Sequence, residues 1–181
     1  MKQFATLLFV LFASSGAIGT VEAQQASTKV AGFKGIFLND WNDSENKLVQ
    51  LAEAIPADKY SWRPAQGVRS FSEVYMHVAG ANYFMAGPVG VKPPAGFGFN
   101  SEKTVTEKAK VIQALRASCE QVRQAVMKLS DSDLNKAATA EGQQTTIEGV
   151  LFTLSGHTHE HLGQLIAYAR MNGVVPPWSK E

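Results

Sequence analysis

Apolar side chains recur at steps of three and four residues in four separate stretches of this chain, which predicts four amphipathic helices. The first runs from about Phe33 to Ala54. It carries Phe37, Trp41, Ser44, Leu48, Leu51 and Ile55 on one face, and Pro56 ends it. Residues 56–69 include Pro64 and Gly67 and read as a connection. Ser70-Phe71-Ser72-Glu73 has capping-box spacing, so a second helix starts there and stops near Gly87-Pro88. Residues 87–100 are rich in Gly and Pro and read as a loop, a candidate cover for a site. Thr104-Val105-Thr106-Glu107 offers a second capping box, followed by Ile112, Leu115, Cys119, Val122, Val126 and Leu129 on one stripe. That third helix ends before Ser130-Asp131. Thr145-Thr146-Ile147-Glu148 is a third box, and its helix runs to about Asn172, with Gly173 placed as a C′ residue and Pro176-Pro177 beyond. No stretch alternates like a strand, and there is no internal repeat. The expected fold is all-α, a four-helix bundle.

The first residues follow a different pattern. Lys2 precedes the apolar run from position 4 to 13, small residues follow, and Val21-Glu22-Ala23 is a small-x-small cleavage pattern. This predicts a secretory signal peptide over residues 1–23, cut after Ala23, and a mature domain over 24–181. The run is too short to span a bilayer, so no stable membrane anchor is expected. The expected location is periplasmic or secreted.

Composition adds little to the helices but narrows the function. Apolar residues make up 45% of the 181, enough for a core, and the formal net charge is +1 with no basic block. A concentrated positive face is therefore missing, and no nucleic-acid partner is expected. The single cysteine, Cys119, lies inside an apolar stripe and reads as a small buried hydrophobe.

Candidate chemistry sits in the histidines. Three of four fall in Gly156-His157-Thr158-His159-Glu160-His161. At about 100° per residue, His157 and His161 share a helix face, while His159 points about 200° away from His157 and is excluded from their site. Val150, Leu154, Gln164 and Tyr168 share the face of the pair, which marks it as inward. Two imidazoles one turn apart can clamp zinc, nickel or iron, although that spacing also arises without a metal. The remaining histidine, His77, lies mid-helix on a face with Ser70, Glu73, Val74, Ala81 and Phe84. Three inward histidines would make an open three-nitrogen site, the catalytic rather than the structural pattern for zinc. Gln164 is one turn beyond His161 and Glu73 one turn before His77, so both are candidates to orient a ligand from behind. A di-iron centre is disfavoured, because Val74 and Thr158 stand where its carboxylates would be.

These residues resemble the DinB-like superfamily of bacterial helical proteins over nearly the whole mature chain. The resemblance is carried by Ile55-Pro56 with Tyr60-Ser61-Trp62-Arg63-Pro64, Arg69-Ser70-Phe71 leading to His77-Val78-Ala79, and His157 through His161-Leu162-Gly163-Gln164-Leu165. The closing Tyr168-Ala169-Arg170-Met171-Asn172-Gly173 and Pro176-Pro177-Trp178-Ser179 also match. It implies one divalent metal, zinc first with nickel or iron as alternatives, on His77, His157 and His161. It also implies a homodimer and a thiol-dependent transferase or isomerase, while the open metal position, able to activate water, adds a metal-dependent hydrolase acting on a small molecule. The thiols used by such transferases are cytosolic, and the export signal departs from that. The alternative is a non-catalytic metal-binding or stress-related protein.

Overall fold

The structure, a computed structural model, describes residues 32–179 apart from 99 and 141; the expected signal peptide lies outside them. The described part is mostly helical. Helix α1 spans Phe33–Ala54, α2 Phe71–Met85, α3 the single turn Ser101–Thr104, α4 Lys108–Lys128 and α5 Ile147–Met171. The four long helices pack with α1 against α4 and α5, and α2 against α4 and α5. None of the described helices is long and apolar enough to cross a membrane.

The periodic faces do the packing. On α1, Phe37, Trp41, Ser44, Leu48 and Leu51 are buried, and Ile55 caps the helix fully covered. On α4 the buried stripe is Val111, Leu115, Ser118, Cys119, Val122 and Val126. Trp41 is the largest buried side chain on α1, and its indole N–H donates to the Cys119 carbonyl at 3.1 Å, so its polar edge is satisfied. Cys119 itself is buried, and burial pushes its thiol up to about 12 against hydrogen bonds with Asn82 and Ser118. It is a packing residue.

Of the three expected capping boxes, one forms as read and two need correction. The Ser70–Glu73 box forms as read, with the Ser70 N–H donating to Glu73 Oε2 at 2.7 Å. The Thr104 box does not form. Thr104 ends α3 and its hydroxyl donates to the Asn100 carbonyl, while α4 begins after Glu107 with no side-chain cap. On α5 the cap is Thr146, which accepts from the Gly149 N–H at 3.2 Å, one residue later than expected.

The reason for that shift is a hairpin with no counterpart in the expected elements. Strands β1, Ala137–Ala140, and β2, Gln143–Thr146, pair antiparallel with Ala137 opposite Thr146. Thr145 belongs to β2 and rests on the first turn of α5. A Cβ on Gly149 would come within 2.0 Å of Thr145 Oγ1, so that position must be glycine for the hairpin to dock. The protein is thus mostly helical rather than purely so. The far end of α5 follows expectation. Gly173 has φ +74° and the Val174 N–H returns to the Ala169 carbonyl at 2.9 Å, a Schellman closure.

Candidate metal centre

Two helices bring three imidazoles together. His77 comes from the middle of α2, and His157 and His161 from one face of α5, where Val150, Leu154 and Tyr168 are buried as their spacing requires. One ring nitrogen from each of His77, His157 and His161 lies within 4.8 Å of the other two. His77 Nε2 and His157 Nε2 are 3.1 Å apart. Nitrogens about 2.0–2.1 Å from a shared tetrahedral ion would be separated by roughly 3.4 Å, so the donor set fits a single ion. His159 points elsewhere, as rotation along the helix requires.

Groups behind the rings decide which nitrogen faces inward. His161 Nδ1 is 2.8 Å from Gln164 Oε1, while Gln164 Nε2 donates to the Tyr168 hydroxyl at 2.9 Å. The Gln164 carbonyl can only accept, so His161 carries its proton on Nδ1 and its Nε2 lone pair is left for the cluster. Tyr168 is braced in turn by edge-on contacts with Trp62 and Phe71, at 5.4 and 5.6 Å between centroids. This is the packing role of Trp62 in the 60–64 motif.

For His77 the backing group is not Glu73. The Glu73 carboxylate is held by the Ser70 N–H, by Arg63 at 3.0 Å and by Lys103 at 2.9 Å. Burial raises its pKa, but those three partners outweigh it and hold the group at about 2. Glu102 takes the place behind His77, with Oε2 at 3.3 Å from Nδ1. Its other oxygen accepts from Arg69 Nε at 2.9 Å. Two ion pairs, Arg69 with Glu102 and Lys103 with Glu73, clamp the single turn α3 onto the start of α2 and aim Glu102 at His77. Sequence reasoning missed Glu102 because no helical spacing links it to His77. The only cue is its position just past the Gly/Pro-rich loop.

His77 and His157 favour the neutral form. Burial lowers the pKa of His77, and Arg69 and His161 add to that against the pull of Glu102. His157 falls to about 4, first from burial and then from the charges of His161, His77 and Arg69. Neutral rings are the form that ligates metal. Among the described residues His157 Nδ1 has no hydrogen-bond partner, so none of them fixes this ring from behind. A cavity of about 240 Å³ opens beside the cluster and is lined by His77, His157 and Glu102 among others.

Helices in this packing, with an inward three-imidazole cluster, define a class: helical proteins with a histidine site able to hold a metal ion. The sequence profile of the DinB superfamily matches residues 41–165. The chain belongs to that superfamily.

Solved structures agree on the fold. A DinB-like protein from Bacillus cereus superposes with a TM-score of 0.69 at 20% identity, covering 80% of this chain and 95% of that one. The DinB-like protein YjoA from Bacillus subtilis gives 0.61 at 23% identity, covering 76% and 92%. YfiT from Bacillus subtilis, described as "a probable metal-dependent hydrolase with an unusual four-helix bundle topology", gives 0.61 at 16% identity, covering 87% and 96%. No curated protein matches the chain.

Proposed function

We propose that this protein is an exported metal-dependent enzyme, a hydrolase in preference to a thiol transferase, built on a DinB-type four-helix bundle. His77, His157 and His161 hold one divalent transition metal, with zinc the first candidate. The observation that carries the reading is the convergence of three imidazole nitrogens within 4.8 Å, from two helices, beside a cavity. A structural zinc site is closed by four protein ligands, whereas three ligands and an adjoining cavity leave a position for a reacting molecule. An ion held this way supplies Lewis acidity and lowers the pKa of a water or thiol at that position.

The chain's own residues have definable tasks around it. Gln164 and Glu102 keep the Nδ1 protons of His161 and His77 pointing outward, so both rings present Nε2 inward. Tyr168, wedged by Trp62 and Phe71, keeps Gln164 from rotating its amide. The relative's description as a metal-dependent hydrolase supports the reaction class. The N-terminal apolar run and Val21-Glu22-Ala23 support export with cleavage after Ala23, and export removes the protein from cytosolic thiols.

Elemental analysis of the protein purified without added metal tests the core of this reading. About one transition-metal ion per chain is expected, lost on His161→Ala. A protein that stays metal-free after incubation with zinc, nickel and iron(II) would sink it. A screen of ester, amide and phosphoester substrates with the loaded protein separates an enzyme from a non-catalytic metal-binding protein. N-terminal sequencing of the exported form, expected to begin at Gln24, checks the signal peptide.

A further inference from the structure

The cavity beside the histidines has a sharp division of chemistry. Its polar lining is His77, His157 and Glu102, and these touch one another: the two rings at 3.1 Å, and His77 with Glu102 at 3.3 Å. They form a single polar patch. The other walls are Met76, Ala81, Phe84, Met85 and Phe97 with glycines between them. No lysine or arginine lines the space among the described residues. A charged group on the ligand body, away from the histidines, would find no side-chain cation among the described lining residues and would face the Glu102 carboxylate. Burying an unpaired anion in such a space is unfavourable.

Phe97 packs on α2 at the edge of the cavity. It is held edge-on by Tyr83 at 4.9 Å between centroids, so the loop after α2 contributes a fixed wall. Gly80, within α2, lies next to it. A glycine inside a helix lowers stability relative to alanine and normally needs a reason. Backbone conformation and close packing are not the reason here. A Cβ on Gly80 would meet nothing nearer than Phe97 Cε1 at 3.9 Å, an ordinary contact. What the missing side chain does is leave room in the cavity. The volume, about 240 Å³, exceeds the roughly 150 Å³ in which an apolar cavity accepts benzene, and falls short of drug-sized pockets.

We propose that the ligand of this site is a small molecule with an uncharged apolar body, about one ring, and a short polar head. Its apolar body would lie along the walls formed by Ala81, Phe84, Met85 and Phe97, with Gly80 at their edge, and its head would reach the imidazole patch. Gly80 is the specificity-determining position. The assignment of the head to a metal rests on the reading above; the assignment of the body to the apolar walls does not.

Two hydroxamates with one head group separate the two. Zinc-loaded protein is titrated calorimetrically with acetohydroxamate and benzohydroxamate. Benzohydroxamate is expected to bind tighter by about tenfold or more, the order that burying a ring contributes. Gly80→Leu, with metal content checked, is expected to bring the ratio near one. Ala81→Phe serves as a second blocking variant should the first melt early. Gly80→Ala is expected to raise Tm by roughly 2–4 °C, as a helix-interior glycine without a packing role should; a fall in Tm would assign Gly80 to packing and overturn its role here.

Equal affinities in the wild type overturn the proposal while leaving the metal reading intact. Should the protein hold no metal and bind neither hydroxamate, the metal reading fails. The body is then tested alone, by saturation-transfer NMR of the chelated protein with benzyl alcohol. A signal lost in Gly80→Leu supports the proposal, and no signal overturns it.

Discussion

Helix α5 carries histidines on two faces, and the two regions solve different problems with the same side chain. On the inner face, His157 and His161 meet His77, and one ring nitrogen of each converges with the others within 4.8 Å. On the outer face, His159 Nε2 meets Asp40 Oδ1 at 2.9 Å and Ser44 Oγ at 3.1 Å, while Asp40 Oδ2 accepts from Ser155 at 2.5 Å. A serine, a histidine and an aspartate in contact invite a catalytic reading, and the atoms exclude it. A relay needs the serine on one ring nitrogen and the carboxylate on the other. Here both partners share Nε2, and Ser44 is buried. Burial pushes the Asp40 carboxyl up, but hydrogen bonds from Ser155 and His159 outweigh it and hold it below its ordinary value. The outer cluster is a tie between α1 and α5. Among the described residues no carboxylate reaches the converging nitrogens of the inner cluster, which leaves them available to a cation.

The strongest way to break this contrast is to delete ring by ring. His161→Ala and His157→Ala are each expected to weaken zinc binding by more than about 100-fold, because two nitrogens remain where three are needed. His159→Ala is expected to leave zinc affinity within about threefold. Competition with a chromophoric chelator reads all three, and equal losses in His159→Ala and His161→Ala would abolish the distinction between faces.

Next in size are the groups behind the rings. Glu102→Gln and Gln164→Leu are each expected to lower zinc affinity roughly 10–100-fold, the usual scale for partners that orient a ligand. Glu73→Gln is expected to act on stability instead, since its carboxylate serves the α2 cap and the α3 clamp. A Glu73→Gln protein that keeps its Tm but loses zinc would reverse the assignment made here between Glu73 and Glu102.

The outer tie is a matter of stability. Asp40→Ala is expected to cost about 1–2 kcal/mol in urea unfolding, from lost hydrogen bonds to Ser155 and His159, with zinc content kept.

Acid should separate the regions again in chelated protein. His157 titrates near 4 in the folded chain against an ordinary 6.5, and His77 is shifted the same way. Between those values the unfolded chain binds more protons than the folded one, so stability falls as pH drops from about 6.5 toward 4. Glu73, held near 2 against 4.5, adds a further loss below about 4.5. Thermal melts from pH 7 to 3 should show the first slope flattened in His157→Ala and the second in Glu73→Gln.

The smallest expected effect concerns Cys119. Buried and pushed up to about 12, it should resist iodoacetamide at pH 8 until the chain unfolds.

Much of this architecture is written in periodicity. Repetition at three and four residues marked the four long helices, because a helix must turn one face to the core, and the bounds of α1 follow from Pro56 as directly as the end of α5 follows from Gly173. The same 100° rotation separated His159 from its neighbours and put Gln164 behind His161. These are arguments within one helix, where distance along the chain equals distance in space.

Other features depend on chain segments far apart in sequence. The hairpin of residues 137–146 has small and polar residues with no alternating apolar face, and it exists because β1 and β2 pair and dock on α5 beside Gly149. Glu102 meets His77 only because two ion pairs seat α3 on α2. The cavity wall at Phe97 depends on Tyr83 catching a loop. The sequence by itself determined which face of each helix turns inward, since that is set by rotation per residue. Only the tertiary structure decided which charged group stands behind His77 and what space lies beside it, because side chains that meet across helices answer to packing and not to spacing.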